Sequence, residues 1–96
     1  MDSKKTPPDQ SERDKLQVVV ITSAGAYPGQ GEDTIPANQK VEVQLKKVAR
    51  ELKIQDTSGW IASVAGRQID PGKSWADNDL KGHVSVDWGP AIGGGG

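Results

Sequence analysis

The residues of this 96-residue chain that could do chemistry sit in a few short stretches, and in each the spacing fails. Gly72-Lys73-Ser74 resembles the end of a phosphate-binding loop, in which backbone N–H groups cradle phosphates and a lysine reaches them. That loop needs its first glycine where Arg67 stands, and Gly66 comes one residue early, so the segment reads as a turn. Asp77, Asp79 and Gly82 fall at positions 1, 3 and 6 of a calcium loop, but position 5 is Lys81 and position 12 is Trp88 in place of glutamate. His83 is the only histidine and has no Cys, Ser or second His partner at a recognised spacing, which favours a satisfied strand histidine over a ligand or base. With no Cys, disulfides, thiolate zinc sites and a cysteine nucleophile are excluded. The chain is therefore not expected to be an enzyme, or to hold a metal or cofactor of its own.

The elements that must position these residues form a single small domain. Twelve Lys and Arg stand against 13 Asp and Glu, a net charge of −1, so nucleic acid and anionic membrane are not expected partners. The longest apolar run, Val18-Val19-Val20-Ile21, is far too short to cross a bilayer, and no apolar signal segment follows Met1, so the expected location is cytoplasmic. Residues 1–15 are charged, contain Pro7-Pro8 and read as a flexible arm; residues 89–96 end in Gly93 to Gly96 and read as a mobile tail. The folded domain is expected over 16–88.

Within it, Leu16 to Thr22 is a β-branched strand, followed by a Gly-rich loose hairpin whose return through Glu32 to Pro36 is at best a short edge strand. Val41, Leu45, Val48, Ala49 and Leu52 lie on one face of a helix, with Asn38 as N-cap; the rival reading makes Val41 to Leu45 an alternating strand. Trp60, Ala62 and Val64 share one side of a second strand, and Gly66-Arg67 turns the chain into a short strand at Gln68-Ile69. A type II turn is expected at Asp70-Pro71-Gly72-Lys73, and Val84, Val86 and Trp88 face one way on a last strand. The order β-β-α-β-β-β gives an α+β, β-grasp fold: a mixed, mostly antiparallel sheet of four to five strands with one packed helix, burying Val18, Val20, Leu45, Leu52, Val64, Ile69, Leu80 and Val86.

The ungapped run from Val64 to Leu80, Val-Ala-Gly-Arg-Gln-Ile-Asp-Pro-Gly-Lys-Ser-Trp-Ala-Asp-Asn-Asp-Leu, resembles the second half of ubiquitin in its hydrophobic-Ala-Gly-basic-Gln-hydrophobic-acidic-x-Gly-basic-hydroxyl pattern. Leu16 to Val20 is similar to that family's first strand, and the alternating Val84, Val86 and Trp88 to its last, which leads to a glycine terminus. The departures are specific. Ubiquitin's hydrophobic recognition patch falls here on Ser63, Ser85 and Asp87, the loop before Gly82-His83 is shorter, the first hairpin is longer, and the tail lacks arginine. The pattern looks closest to the single-domain ubiquitin-like proteins of bacterial conjugation operons, whose partners are an activating enzyme, a conjugating enzyme and often a JAB-type metalloprotease.

The resemblance implies that the carboxylate of Gly96 is adenylated with ATP by the activating enzyme, captured as a thioester and passed to a target-protein lysine, in a bacterial ubiquitination-like pathway such as antiphage defence. Gly93, Gly94 and Gly95 complete the conjugation terminus, and trimming would make Gly94 or Gly95 the reacting residue. Glycine suits the role because a chain without Cβ threads a narrow channel and its carboxylate is open on both faces. Trp60 and Trp75 are expected to fill a core that has no Phe. Trp88, at the end of the last strand, is a candidate docking residue if its indole is partly exposed. Two alternatives stay open: a sulfur carrier that ends as a thiocarboxylate, and a noncovalent ubiquitin-like domain whose tail is a linker.

Overall fold

The computed structural model describes residues 15–91. The expected arm, apart from Lys15, and the Gly93–Gly96 run lie outside the described residues. Strand β1 (Lys15–Thr22) alternates with period two: Leu16, Val18 and Val20 are buried, and Gln17, Val19 and Ile21 face outward. The return leg is better ordered than the sequence suggests. It is one antiparallel strand broken in two, β2 (Gly25–Tyr27) on the far end of β1 and β3 (Asp33–Pro36) on its start. Residues 28–32, where Pro28 has no N–H to donate, loop out between them.

Helix α1 (Val41–Glu51) buries Val41, Leu45 and Val48 together with Gln44, so the helical reading holds over the strand alternative. Its start corrects the expectation of an Asn38 cap: Lys40 is the N-cap, with extended backbone and no side-chain cap bond. The Pro71–Lys73 turn does the capping, since the Val41 N–H donates to the Lys73 carbonyl at 3.0 Å and the Glu42 N–H to that of Pro71 at 2.9 Å. A side chain at 38 is then not needed. At the other end, Lys53 takes the left-handed conformation (φ 59°) while the Ile54 N–H reaches the Ala49 carbonyl and the Lys53 N–H that of Arg50. This is a Schellman closure with lysine where glycine is preferred. Lys53→Gly is expected to raise stability by about 0.5–1 kcal/mol, read as a higher urea midpoint at unchanged slope.

Strands β4 (Trp60–Val64) and β5 (Arg67–Ile69) pair with Val64 opposite Arg67, so the turn is Ala65-Gly66, one residue earlier than expected. Both turn residues have positive φ, 53° and 81°, the type I′ geometry that matches strand twist. The turn at Asp70-Pro71-Gly72-Lys73 is closed by Lys73 N–H on the Asp70 carbonyl at 3.1 Å, but Gly72 does not adopt positive φ, so it is not type II. The Asp70 carboxylate accepts the Gly72 N–H at 2.9 Å and holds the turn in the other form. A 3₁₀ turn (Ala76–Asn78) then leads to β6 (Gly82–Pro90).

The sheet order is β2-β1-β6-β4-β5, with β3 also on β1; only the β1–β6 pair is parallel. One helix lies across one face of this sheet, and the core between them contains most of the expected residues together with Leu16, Ile35, Ala62, Val84, Trp75 and Trp88. Leu52 and Val64, expected in the core, are only partly buried and pack against its edge. Among the described residues no helix is long and apolar enough to cross a membrane.

Candidate functional site

The expected reactive glycines lie outside the described residues, and the chain leads to them from the end of β6. β6 is the central strand, held by β1 on one side through the Ile21–Asp87 pair and by β4 on the other through Ser63–Asp87. Inward-facing Val84, Val86 and Trp88 fasten it to the core. Trp88 corrects the expectation of an exposed docking indole: only 8% of the residue is accessible, and its ring meets Trp60 edge-on at 5.0 Å between centroids. The β4–β6 register causes this. Ala62 stands opposite Trp88, so Trp60 is its diagonal neighbour on the inner face, within reach of a ring. Trp88 therefore anchors the strand from which residues 89–96 continue, and the first residues after it, Gly89 to Ala91, are half-buried or exposed.

The residues at ubiquitin's patch positions do come together. Ser63 and Asp87 are a cross-strand pair, and Ser85 lies two residues back on the same outward face of β6, so the surface there carries two hydroxyls and a carboxylate. The remaining motifs have structural work. Gly72-Lys73-Ser74 forms the turn that caps α1, and among the described residues no cluster of three or more His, Cys, Asp or Glu could hold a metal ion. His83 is mostly exposed, and its Nδ1 is 2.9 Å from Glu32 Oε1, which ties the 28–32 loop to β6.

Sequence reasoning missed a polar cluster on the edge of β3. Gln44 Nε2 donates to Asp33 Oδ2 at 2.9 Å, Lys47 Nζ approaches the same oxygen at 3.2 Å, and that ammonium lies 5.6 Å from the Tyr27 ring centre. The i, i+3 spacing of Gln44 and Lys47 was visible, but not the strand that meets them. Burial pushes the Asp33 carboxyl up, and the bonds from Gln44 and Lys47, the lysine charge and the Thr34 N–H outweigh it, so its pKa falls below the ordinary 3.8. Its stabilisation is complete above the ordinary carboxylate pKa and is lost as pH falls through the lowered value. Asp33→Asn should cost less than about 1 kcal/mol at pH 7, because the pair is partly exposed. The stability curves of the two proteins should converge in acid.

Tyr27, at the end of β2, is partly buried against the core. Lys46, Lys53, Lys73 and Lys81 are exposed.

No protein-family model matches the sequence, and no curated protein matches it. Solved structures do match. A protein designed on the basis of ubiquitin superposes with a TM-score of 0.62 at 13% identity, over 86% of this chain and 96% of that one. A structure described as molecular mimicry of SUMO that promotes DNA repair gives 0.58 at 20% identity, over 76% and 90%. Trypanosoma brucei ATG8 gives 0.58 at 12% identity, over 79% and 72%. At these identities the likeness concerns the fold, and the chain has a ubiquitin-like β-grasp fold.

Proposed function

We propose that the protein is a ubiquitin-like modifier, whose β-grasp body supplies a recognition surface and whose Gly93–Gly96 run supplies the reacting carboxylate. The observation that carries this reading is the junction: the central strand of a ubiquitin-like sheet ends at Pro90, and only Ala91 and Ile92 separate it from four glycines. A strand anchored by Trp88 gives the tail a fixed origin, and glycine lets it thread another protein's channel. In the proposed sequence a glycine carboxylate attacks ATP at its α-phosphorus and releases pyrophosphate. A cysteine thiolate of a partner then displaces AMP, and a lysine amine displaces the thiolate to leave an amide. The activating and conjugating enzymes supply all catalysis and use the ATP; a JAB-type metalloprotease would reverse the bond, and a bacterial antiphage operon is the proposed setting.

The test is mass spectrometry of proteins purified from the native host with an N-terminally tagged copy. Trypsin is unsuitable, because its last site before the tail is Lys81. Chymotrypsin cutting after Trp88 leaves a short branch from Gly89 into the glycine run on a modified lysine. The expected result is that branch, and its last glycine identifies the reacting residue. A thiocarboxylate in its place would assign the protein to sulfur transfer. Absence of any branch, with function intact after deletion of Gly95 and Gly96, would leave a noncovalent domain.

A further inference from the structure

Gly89 is a glycine with no structural reason to be one. It lies within the central strand, where glycine packs poorly and costs stability. Its backbone is not in the left-handed region, and a Cβ built on it would meet no heavy atom within 4 Å. Neither conformation nor internal packing demands it. What it does is leave the floor of a groove open. On the outer face of the sheet, Ile21 of β1 and Ile61 of β4 flank β6; Ile61 is directly opposite Gly89, and Ile21 is opposite Asp87. The two isoleucines stand on strands about 10 Å apart, two interstrand spacings, which leaves width for one aliphatic side chain above the glycine. The resulting depression has a volume of about 550 Å³, and Ser63, Thr22 and Pro90 complete its rim.

Among the described residues, Ile21 is one of two large aliphatic residues left substantially exposed, at 43%. The second observation is in the pairing. β6 pairs with β1 from Gly82 to Asp87 and with β4 from Asp87 to Pro90, so from Trp88 to Pro90 its β1 side is unpaired, because β1 turns away into β2. The backbone beside Gly89 is therefore approachable from the β1 side. The third is charge, since among the described residues Asp87 is the only charged side chain lining the groove, and it is exposed.

We infer that this groove binds an extended segment of a partner protein that presents one aliphatic side chain over Gly89, between Ile21 and Ile61, with a flanking lysine or arginine on Asp87. Close approach of the partner's backbone explains the glycine, the exposed isoleucine supplies apolar contact, and the carboxylate selects the flanking charge. The surface shares Ser63 and Asp87 with the lost patch and extends one residue pair further towards the tail, to Ile61 and Gly89. It is independent of whether the tail is conjugated.

The test uses the full chain, ¹⁵N-labelled, titrated separately with the capped peptides acetyl-Lys-Val-Leu-Val-Arg-amide and acetyl-Glu-Val-Leu-Val-Glu-amide. Saturable amide shifts are expected at Ile21, Ile61, Asp87 and Gly89, with the basic peptide binding about fivefold tighter. Gly89→Val fills the floor, its Cβ meeting no heavy atom within 4 Å, and should weaken binding at least about tenfold while the rest of the spectrum stays unchanged. Asp87→Lys should reverse the preference between the peptides. Three results would each overturn the inference: no saturable shift, equal response to both peptides, or shifts outside the groove. Concentration-dependent shifts at the same residues without peptide would overturn it in favour of a second copy.

Discussion

Trp75→Ala is expected to remove about 3–5 kcal/mol of stability, which for a domain of this size lowers the melting temperature by about 15–30 °C. Trp75 is wholly inaccessible and is the largest fully buried side chain in a core that contains no phenylalanine. Its backbone also ties two segments together, since its N–H reaches the Gln39 carbonyl and its carbonyl accepts from Leu80. The alanine variant keeps those backbone groups and loses the ring, so the loss measures packing alone. The indole Nε1 adds a twist: it is buried and has no hydrogen-bond partner among the described residues. A buried unpaired N–H costs about 1–3 kcal/mol, so Trp75→Phe, which keeps an aromatic ring and deletes that donor, should fall within about 1 kcal/mol of the parent. Urea denaturation of the two variants separates these contributions. A phenylalanine variant as weak as the alanine one would show that the indole N–H is satisfied in solution.

Trp75 illustrates what was legible. Its burial followed from composition, because a core without phenylalanine must be filled by tryptophan. The inward set of β6 followed from alternation, and Val84, Val86 and Trp88 all face the core. The helix followed from the spacing of Val41, Leu45 and Val48. What escaped depends on residues far apart in sequence. Asn38 is a good cap type, yet carbonyls at Pro71 and Lys73 reached the helix end first. A pattern placed Trp88 on the inner face, but its burial required Trp60 beside it, which only the β4–β6 register decides. β2 and β3 were hard to see for a different reason: short strands rich in Gly and Pro have little propensity of their own, and pairing with the strongly β-forming β1 orders them. For the candidate site, the glycine run and its attachment to a last strand were readable directly. The groove at Gly89 was not, because Ile21 and Ile61 are 40 positions apart and meet only across β6.

The same lesson yields the other large effect, at Asn78 in the Asp-Asn-Asp sequence. Asn78 is 7% exposed, and its amide is nearly fully used: Oδ1 accepts the Asp70 N–H at 2.8 Å, and Nδ2 donates to the carbonyls of Asp70 at 2.9 Å and Ser74 at 3.0 Å. It also offers its own carbonyl to Arg67 at 2.9 Å. The amide thus stitches the end of β5 to the turn that caps α1. Asn78→Ala leaves the Asp70 N–H without its partner in a partly buried place and takes one of two donors from each of the Asp70 and Ser74 carbonyls, which keep the Lys73 and Asn78 backbone N–H groups, and is expected to cost about 2–4 kcal/mol. Asn78→Asp is the sharper variant. It is isosteric and keeps the acceptor for the Asp70 N–H, but a carboxylate has no proton for the two carbonyls and meets their negative ends. Its folded-state pKa should therefore lie above the unfolded one, and whatever stability it retains should be fullest below the unfolded pKa and fall as pH rises through the folded one. The parent has the opposite slope in acid, because Asp33 loses its bonds there. Urea midpoints across the acid range should accordingly draw the aspartate variant and the parent together at low pH and separate them towards neutrality. If the gap is independent of pH, the amide protons of Asn78 are not what holds Asp70 and Ser74.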